Sequence, residues 1–345
     1  MIKKRSGVEM NVILIDSGTT NSRIRLIDGE QNKIIDIEKV RVGVRNTAIE
    51  GHNGSLKQHL KEGMQRLLEN NKLLPTDIDY IVASGMITSN LGIYEVPHVS
   101  SPASLTDFGN HSQVIRLEEF FNIPCIFVPG MSNRLNNDPE NALEMINEFD
   151  VMRGEEVETF GLLKQLNVKG KGIMVLPGSH TKYVLVDENQ SLSSCLSTLG
   201  GETLLALQRE TILSGSLEQN LIENIDPEML ERGYEAAKQY GLTRSFYHIR
   251  LLQLFSNLDA NQRANYFVGS VIYDDIQTLL RSVDDFEEMK WIVVGGTDPL
   301  RKVFTHLLRR LNKNWEIIEA NDHQVEYSLV FGAQAIANKC VSPLH

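Results

Sequence analysis

Ile13-Leu14-Ile15-Asp16-Ser17-Gly18-Thr19-Thr20-Asn21-Ser22-Arg23 is an apolar run that ends in an acid, a glycine and small hydroxyl or amide residues. Residues 11–15 have the short β-rich composition of an interior strand, and residues 24–27 start a second strand after a few turn residues, so a tight hairpin is expected. In such a turn Gly18 lets the backbone approach a ligand. The amides and the Thr19 and Thr20 hydroxyls can donate to phosphate oxygens, and Asp16 is placed to hold Mg²⁺ through water. A polar hairpin turn would explain this segment taken alone, but the plan recurs. Gly172-Ile173-Met174-Val175-Leu176-Pro177-Gly178-Ser179-His180-Thr181-Lys182-Tyr183-Val184-Leu185-Val186 is again a strand, a glycine with hydroxyl residues, and a second strand. Here Gly178, Ser179 and Thr181 are the expected phosphate contacts, and Lys182 is expected to point outward. Trp291-Ile292-Val293-Val294-Gly295-Gly296-Thr297-Asp298-Pro299 adds a buried strand ending in a glycine pair, with Thr297 or Asp298 as cap and Pro299 opening a helix.

The order of these three elements resembles the nucleotide-contacting segments of the actin-like ATPase and sugar-kinase superfamily. That resemblance implies an α/β fold of duplicated ribonuclease H-like domains, with the active site in a cleft between two lobes. No G-x-G-x-x-G opens a helix after the first strand and no G-x-x-x-x-G-K-[ST] occurs, which removes support for dinucleotide-binding and P-loop readings.

Composition narrows the function classes. A chain of 345 residues, 41% hydrophobic and 23% charged, is long enough for two globular domains. Its formal net charge of −11 argues against a nucleic-acid or anionic-membrane partner. No run approaches the ~18 apolar residues of a membrane span, and Met1-Ile2-Lys3-Lys4-Arg5 lacks a signal-peptide core, so a cytoplasmic protein is expected. Residues 1–9 precede a second methionine, Met10, and read as a start-site extension. Cys125, Cys195 and Cys340 have no metal-ligand spacing and read as reduced thiols.

Two lobes are expected, at residues 10–135 and 150–345, with a polar crossing around 133–148. The first carries the first phosphate hairpin and the acceptor pocket. The second carries the second hairpin and the adenosine site, with the last helix (328–338) packing between the lobes. A third strand is expected at 40–44, and Ser55 is expected to cap a helix bearing Leu56, Leu60, Met64, Leu67 and Leu68. Further helices are expected near 202–213, 227–240, 244–257 and 260–281, and a final strand at 315–319. Acid-base chemistry is sought at Met152-Arg153-Gly154-Glu155-Glu156, where a carboxylate at a helix start could take the proton of an attacking hydroxyl. The same acids could simply complement the helix dipole. Arg153 suits an acidic substrate, or a salt bridge.

Asp16 to Asn21, Gly85-Met86 with Ser89-Asn90 and Gly92, Val128-Pro129-Gly130, Met152 to Glu156 and Pro177 to Lys182 occur in the order found in the 2-dehydro-3-deoxygalactonokinase family, which the chain resembles from about residue 10 to its C-terminus. The resemblance implies transfer of the ATP γ-phosphate to the C6 hydroxyl of 2-dehydro-3-deoxy-D-galactonate, with ATP, Mg²⁺ and a small sugar acid as ligands and a homodimer as one possible assembly. It places Gly295, Gly296 and Thr297 at the adenosine end. Arg153 falls at the substrate carboxylate and Asn21, Ser89, Asn90 and Asn133 at its hydroxyls. Glu155 is favoured over Glu156 as base because related sugar kinases open this helix with a Gly-acid pair. Three positions depart from the family: Ser17 replaces an aromatic residue, Ser179 a threonine, and Ile87-Thr88 a Val-Gly pair. A kinase for the gluconate epimer, a non-catalytic actin-like ATP-binding protein and a sugar-responsive regulator are the alternatives. The role of His180 stays open between a ligand donor and a turn contact.

Overall fold

The computed structural model describes residues 10–133, 142–283, 286–311 and 313–340. The leading segment 1–9 and half of the expected crossing, residues 134–141, lie outside the described residues. The chain divides into two compact units: residues 1–168, 190–195 and 323–345 form the first, and 169–189 and 196–322 the second.

In the first unit the elements are β1 (Asn11–Ser17), β2 (Ser22–Asp28), β3 (Lys33–Val40), α1 (Val44–Glu50), α2 (Gly54–Asn70), β4 (Ile78–Gly85), β5 (Val99–Ser100), α3 (Leu105–His111), β6 (Gln113–Arg116), β7 (Pro124–Phe127), β8 (Met131–Ser132), β9 (Val151–Met152) and α4 (Glu155–Leu166). Six of the strands make one sheet in the order β3-β2-β1-β4-β7-β6. β1, β2 and β3 are successive antiparallel neighbours, whereas β4 runs parallel to β1 and β7 parallel to β4. Ile13, Ile15, Ile24 and Leu26 bury one face against Leu56, Leu60, Met64 and Leu67 of α2. The third strand precedes its expected place. The short turn after β2 returns the chain at once, and Gly43 then fits against the Thr19 carbonyl, where a Cβ would collide. Ser55 is not the cap of α2, which starts one residue earlier behind Asn53.

The second unit is built from β10 (Gly172–Leu176), β11 (Thr181–Val186), the end of β12 (Leu192–Thr198, of which residues 192–195 group with the first unit), α5 (Gly200–Glu210), α6 (Pro227–Tyr240), α7 (Leu242–Phe255), α8 (Ala260–Ser282), β13 (Trp291–Val294), α9 (Leu300–Arg310) and β14 (Glu316–Glu319). Its sheet order is β12-β11-β10-β13-β14, with β10 antiparallel to β11 and parallel to β13, and β13 parallel to β14. This repeats β3-β2-β1-β4-β7. The protein is therefore a duplicated ribonuclease H-like fold. Ile173, Val175, Ile292 and Val294 pack with Phe267 and Val271 of α8 and Val303 and Phe304 of α9.

The last helix, α10 (Asp322–Ala337), groups with the first unit from residue 323 onward. Glycines explain this: Gly161 of α4 lies on the Ser328 backbone and Gly332 of α10 on the Val157 backbone, so the two helices cross with main chain nearly touching. Gln165 Nε2 also donates to the Gln324 carbonyl at 2.9 Å. Cys125 and Cys195 are buried free thiols, and among the described residues no helix is long and apolar enough to cross a membrane.

Candidate active site

Parallel pairing places the ends of β1 and β4 side by side, with Asp16 opposite Ser84 and Ser17 opposite Gly85. Gly85 adopts φ +81° and any side chain there would strike the Ser17 carbonyl and crowd Asp16. Gly154, at φ +116°, packs on Gly85 and opens α4. Two glycines in backbone conformations closed to other residues thus bring the first turn of α4 to the ends of these strands. The small sheet β5-β8-β9 holds the residues just before it.

Three carboxyl groups gather there with different surroundings. Glu155 is partly exposed and accepts the Arg153 backbone N–H at 3.0 Å. Glu156 is fully buried, both of its oxygens accept the Gly154 N–H at 2.8 Å, and burial followed by the charge of Glu155 pushes its pKa up to about 8. Asp16 is also held above the usual carboxylate range, first by burial and then by Glu155 and Glu326. Arg25 and Arg23 oppose that shift. Arg25 is buried in β2 and donates Nε to Glu326 of α10 at 2.9 Å. Arg23 stands directly opposite Asp16 in the β1/β2 register, is exposed, and makes no ion pair among the described residues. Sequence reasoning passed over it, although strand alternation from Arg25 puts both arginines on the Asp16 face.

The pKa of Glu156 carries a stability prediction. Its folded value lies above the unfolded one, so its contribution is complete below about pH 4.5 and is lost as pH rises to about 8. The wild-type protein is expected to lose on the order of 5 kcal/mol over that window, and Glu156→Gln to flatten the profile. Denaturant unfolding at pH 5 and pH 8.5 measures it; equal slopes in both proteins would contradict the assignment.

At the turn between β1 and β2, Gly18 N–H donates to the Asn21 carbonyl at 2.9 Å, and α1 grips the other side through Arg45 N–H on the Thr19 carbonyl at 2.9 Å. Thr19, Thr20 and Asn21 are left exposed, the Asn21 amide donating to Thr20 Oγ1 at 3.0 Å. Ser17 is buried and shares a hydrogen bond with Ser22 Oγ at 2.7 Å, so its departure from the family residue is absorbed inside the sheet. Ser89 is buried and donates to the Met86 carbonyl at 2.7 Å, whereas Asn90 is exposed.

Two expected ligands are occupied by the protein itself. The Arg153 guanidinium donates to the Thr88 carbonyl (2.6 Å), Thr88 Oγ1 (2.7 Å), the Val96 carbonyl (3.0 Å) and His98 Nε2 (3.1 Å). His98 can accept because burial and then Arg153 lower its pKa to about 4, leaving the ring neutral. These acceptors use Arg153 to tie the 88–98 segment to the start of α4, in place of the carboxylate-ligand role read from sequence. Asn133 spends both ends of its amide on the Cys195 backbone, at 2.7 and 2.8 Å, and so staples two chain segments of the first unit instead of facing a substrate hydroxyl.

In the second unit Gly178, Ser179 and His180 are exposed in the turn between β10 and β11. Gly296, at φ +71°, sits against the Pro177 carbonyl, and Gly295 N–H donates to Val175 at 2.8 Å, which brings the glycine pair beside that turn. Thr297 is exposed next to them. Asp298 pairs with Arg301 at 3.0 Å and Lys302 at 2.6 Å, and α9 begins at Leu300 without a side-chain cap. A second glycine pair joins: Gly201 lies on the Gly178 carbonyl, and Glu202 N–H donates to the Ser179 carbonyl at 2.8 Å, so the N-terminus of α5 abuts the turn between β10 and β11. The Gly200-Gly201 pair directly after a strand was the signal for it. His180 Nε2 lies 3.4 Å from Glu202. Thr181 differs from the sequence reading, because its hydroxyl is buried and donates inward to Asp275 at 3.1 Å. Lys182 differs too. It is buried, with Nζ 2.5 Å from Ser197 Oγ, and does not point outward.

The duplicated ribonuclease H-like fold carries carboxylates at the strand ends of one unit and glycine turns at those of the other. The model of the 2-keto-3-deoxy-galactonokinase family matches residues 16–328, and the chain belongs to that family. It is thus a sugar-acid kinase, and its family implies use of ATP. A candidate 2-dehydro-3-deoxygalactonokinase from Sinorhizobium meliloti is similar in structure, with TM-score 0.70, 20% identity, and coverage of 95% of this chain and 96% of that one. A propionate kinase from Francisella tularensis subsp. tularensis (TM-score 0.44, 12% identity, 94% and 98% covered) and a candidate N-acetylglucosamine kinase from Porphyromonas gingivalis (TM-score 0.47, 12%, 94% and 98%) are too distant to carry any argument. No curated protein matches the chain.

Proposed function

We propose that the protein transfers the γ-phosphoryl group of ATP to the C6 hydroxyl of 2-dehydro-3-deoxy-D-galactonate, with Glu155 as the general base. The observation that carries this reading is the contrast between the two glutamates: Glu156 is sealed and clamped by Gly154, whereas Glu155 is solvent-accessible and oriented by the Arg153 N–H. A base must reach its proton, and only Glu155 can.

Glu155 takes the O6 proton as the bond from O6 to the γ-phosphorus forms and the bond to the β,γ-bridging oxygen breaks, leaving ADP. Gly18, Thr19 and Thr20 in the first unit and Gly178 and Ser179 in the second hold phosphate oxygens, joined by the Gly200 and Gly201 amides of α5. Arg23 offsets phosphate charge. Gly295, Gly296 and Thr297 line the adenosine end. Asn21, Ser89 and Asn90 remain the candidate hydroxyl ligands, on a segment whose shape Arg153 fixes. Mg²⁺ fits the donor set, since Asp16 and Glu155 repel one another without a cation and Mg²⁺ binds through one carboxylate plus water and phosphate. When bound it would neutralise charge on the phosphates. Free thiols and ATP dependence support a cytoplasmic setting.

ADP release with Mg·ATP, followed against 2-dehydro-3-deoxy-D-galactonate, its gluconate epimer, galactonate, galactose and acetate, tests the reading. Strong preference for the first is expected. Preference for the epimer would keep the mechanism and move the substrate, and no stimulation by any of them would favour a non-catalytic ATP-binding protein. Arg153→Met is expected to raise the sugar-acid KM at least ~10-fold, with the ATP KM unchanged, because the unpinned segment no longer presents Ser89 and Asn90. An equal rise in both constants would refute this.

A further inference from the structure

Beneath the phosphate turn of the second unit lies a buried carboxyl group that the chemistry above does not use. Asp275 projects from α8, is 5% exposed, and accepts the Thr181 hydroxyl through Oδ2 at 3.1 Å. The same oxygen lies where a Cβ on Gly200 would fall, so it touches the backbone of the first residue of α5. Thr181 is the first residue of β11 and closes the Pro177–His180 turn, while Gly200 opens the helix whose next residues contact Gly178 and Ser179. One buried oxygen therefore contacts both the side chain that closes the β10/β11 turn and the backbone of the first residue of α5.

We propose that Asp275 is a positioning residue for nucleotide binding, a latch that sets the spacing between the β10/β11 turn and the N-terminus of α5. The Glu202 N–H on the Ser179 carbonyl joins the two pieces at their tips, and Asp275 braces them from the α8 side, so without it amides aimed at the same phosphate group lose part of their convergence. Amide donors bind an anion well only when preorganised, since ordering them on binding subtracts from affinity. Burial raises the pKa of Asp275 to about 6 against the Thr198 and Thr181 hydroxyls, which lower it, so near neutral pH the group is largely ionised and accepts the Thr181 hydrogen bond as a carboxylate. The latch also accounts for a glycine at position 200, where no other residue fits beside the carboxyl group.

The proposal rests on the assignment of Gly178, Ser179, Gly200 and Gly201 to phosphate binding. It is tested by calorimetric titration of the full-length protein with Mg·ATP and no sugar acid, so failure of the sugar-acid reading leaves this test intact. Asp275→Ala is expected to weaken ATP binding at least ~10-fold and Asp275→Asn, which keeps an acceptor of the same shape, by less than ~3-fold. Thr181→Val is expected to weaken it to a similar degree as Asp275→Ala, and the double variant no further than either alone, because both remove one coupled interaction. In turnover assays the ATP KM should rise while the sugar-acid KM holds. Additive losses would assign Thr181 to direct phosphate contact and overturn the latch. So would unchanged ATP affinity in Asp275→Ala or in Thr181→Val, the second of which stands if the first variant fails to fold.

Discussion

Glu155→Gln is expected to lower kcat by ~10²-fold or more, the usual loss when a general base is removed, and to leave ATP affinity unchanged. Glutamine keeps the oxygen that accepts the Arg153 N–H, so the start of α4 retains its shape and only the proton acceptor is lost. Glu156→Gln serves as the internal control. Its carboxyl group is already sealed against Gly154, so turnover within ~3-fold of wild type is expected despite the adjacent position. Steady-state kinetics on both variants decide the matter. Wild-type turnover in Glu155→Gln, or a large loss confined to Glu156→Gln, would move the base elsewhere. The same cluster also constrains ionic conditions, because Asp16 is held above its usual range by burial and by Glu155, and removing the Glu155 charge relieves part of that repulsion.

The second large effect falls on stability. Gly161→Ala places a methyl group inside the van der Waals envelope of the Ser328 backbone, which cannot rotate away as a side chain would. The α4–α10 crossing must open, at a cost of about 3 kcal/mol or more, the upper range for overpacking a close-packed contact. That displacement also strains the Arg25–Glu326 bond. Gly215→Ala is the matched control: an added Cβ there meets nothing within 4 Å, so a change of less than ~0.5 kcal/mol is expected. Urea unfolding monitored by circular dichroism compares the two. Equal stability in Gly161→Ala and Gly215→Ala would show that the helices do not cross at these glycines.

Local signals made much of this arrangement legible. Each strand-turn-strand phosphate segment is written in contiguous residues, an apolar run followed by glycine and hydroxyls, and both hairpins form with the register that pattern requires. The helix at 227–240 has a sharp start in Asp226 and Pro227, and its bounds match the sequence reading. Long-range contacts were not legible. Nothing near Arg153 in sequence indicates that its guanidinium will meet main-chain carbonyls at 88 and 96, because a backbone acceptor has no residue identity. Thr181 read as a phosphate ligand because Gly178 and Ser179 beside it read the same way, and only its partner 94 positions away turns it inward. The assignment of α10 to the first unit depends on Gly161 and Gly332 meeting each other's helices, a complementarity invisible to any window of the chain. Arg23 was legible in principle, since counting two residues back from a buried strand arginine leads to the Asp16 face.

Transfer to the C6 oxygen is the central claim, and the phosphorus spectrum of the product tests it most directly. Incubation of the protein with Mg·ATP and 2-dehydro-3-deoxy-D-galactonate is expected to give ADP and one new phosphomonoester resonance coupled to the two C6 methylene protons. ADP accompanied only by inorganic phosphate, or a phosphomonoester coupled to a single carbinol proton, would contradict the account.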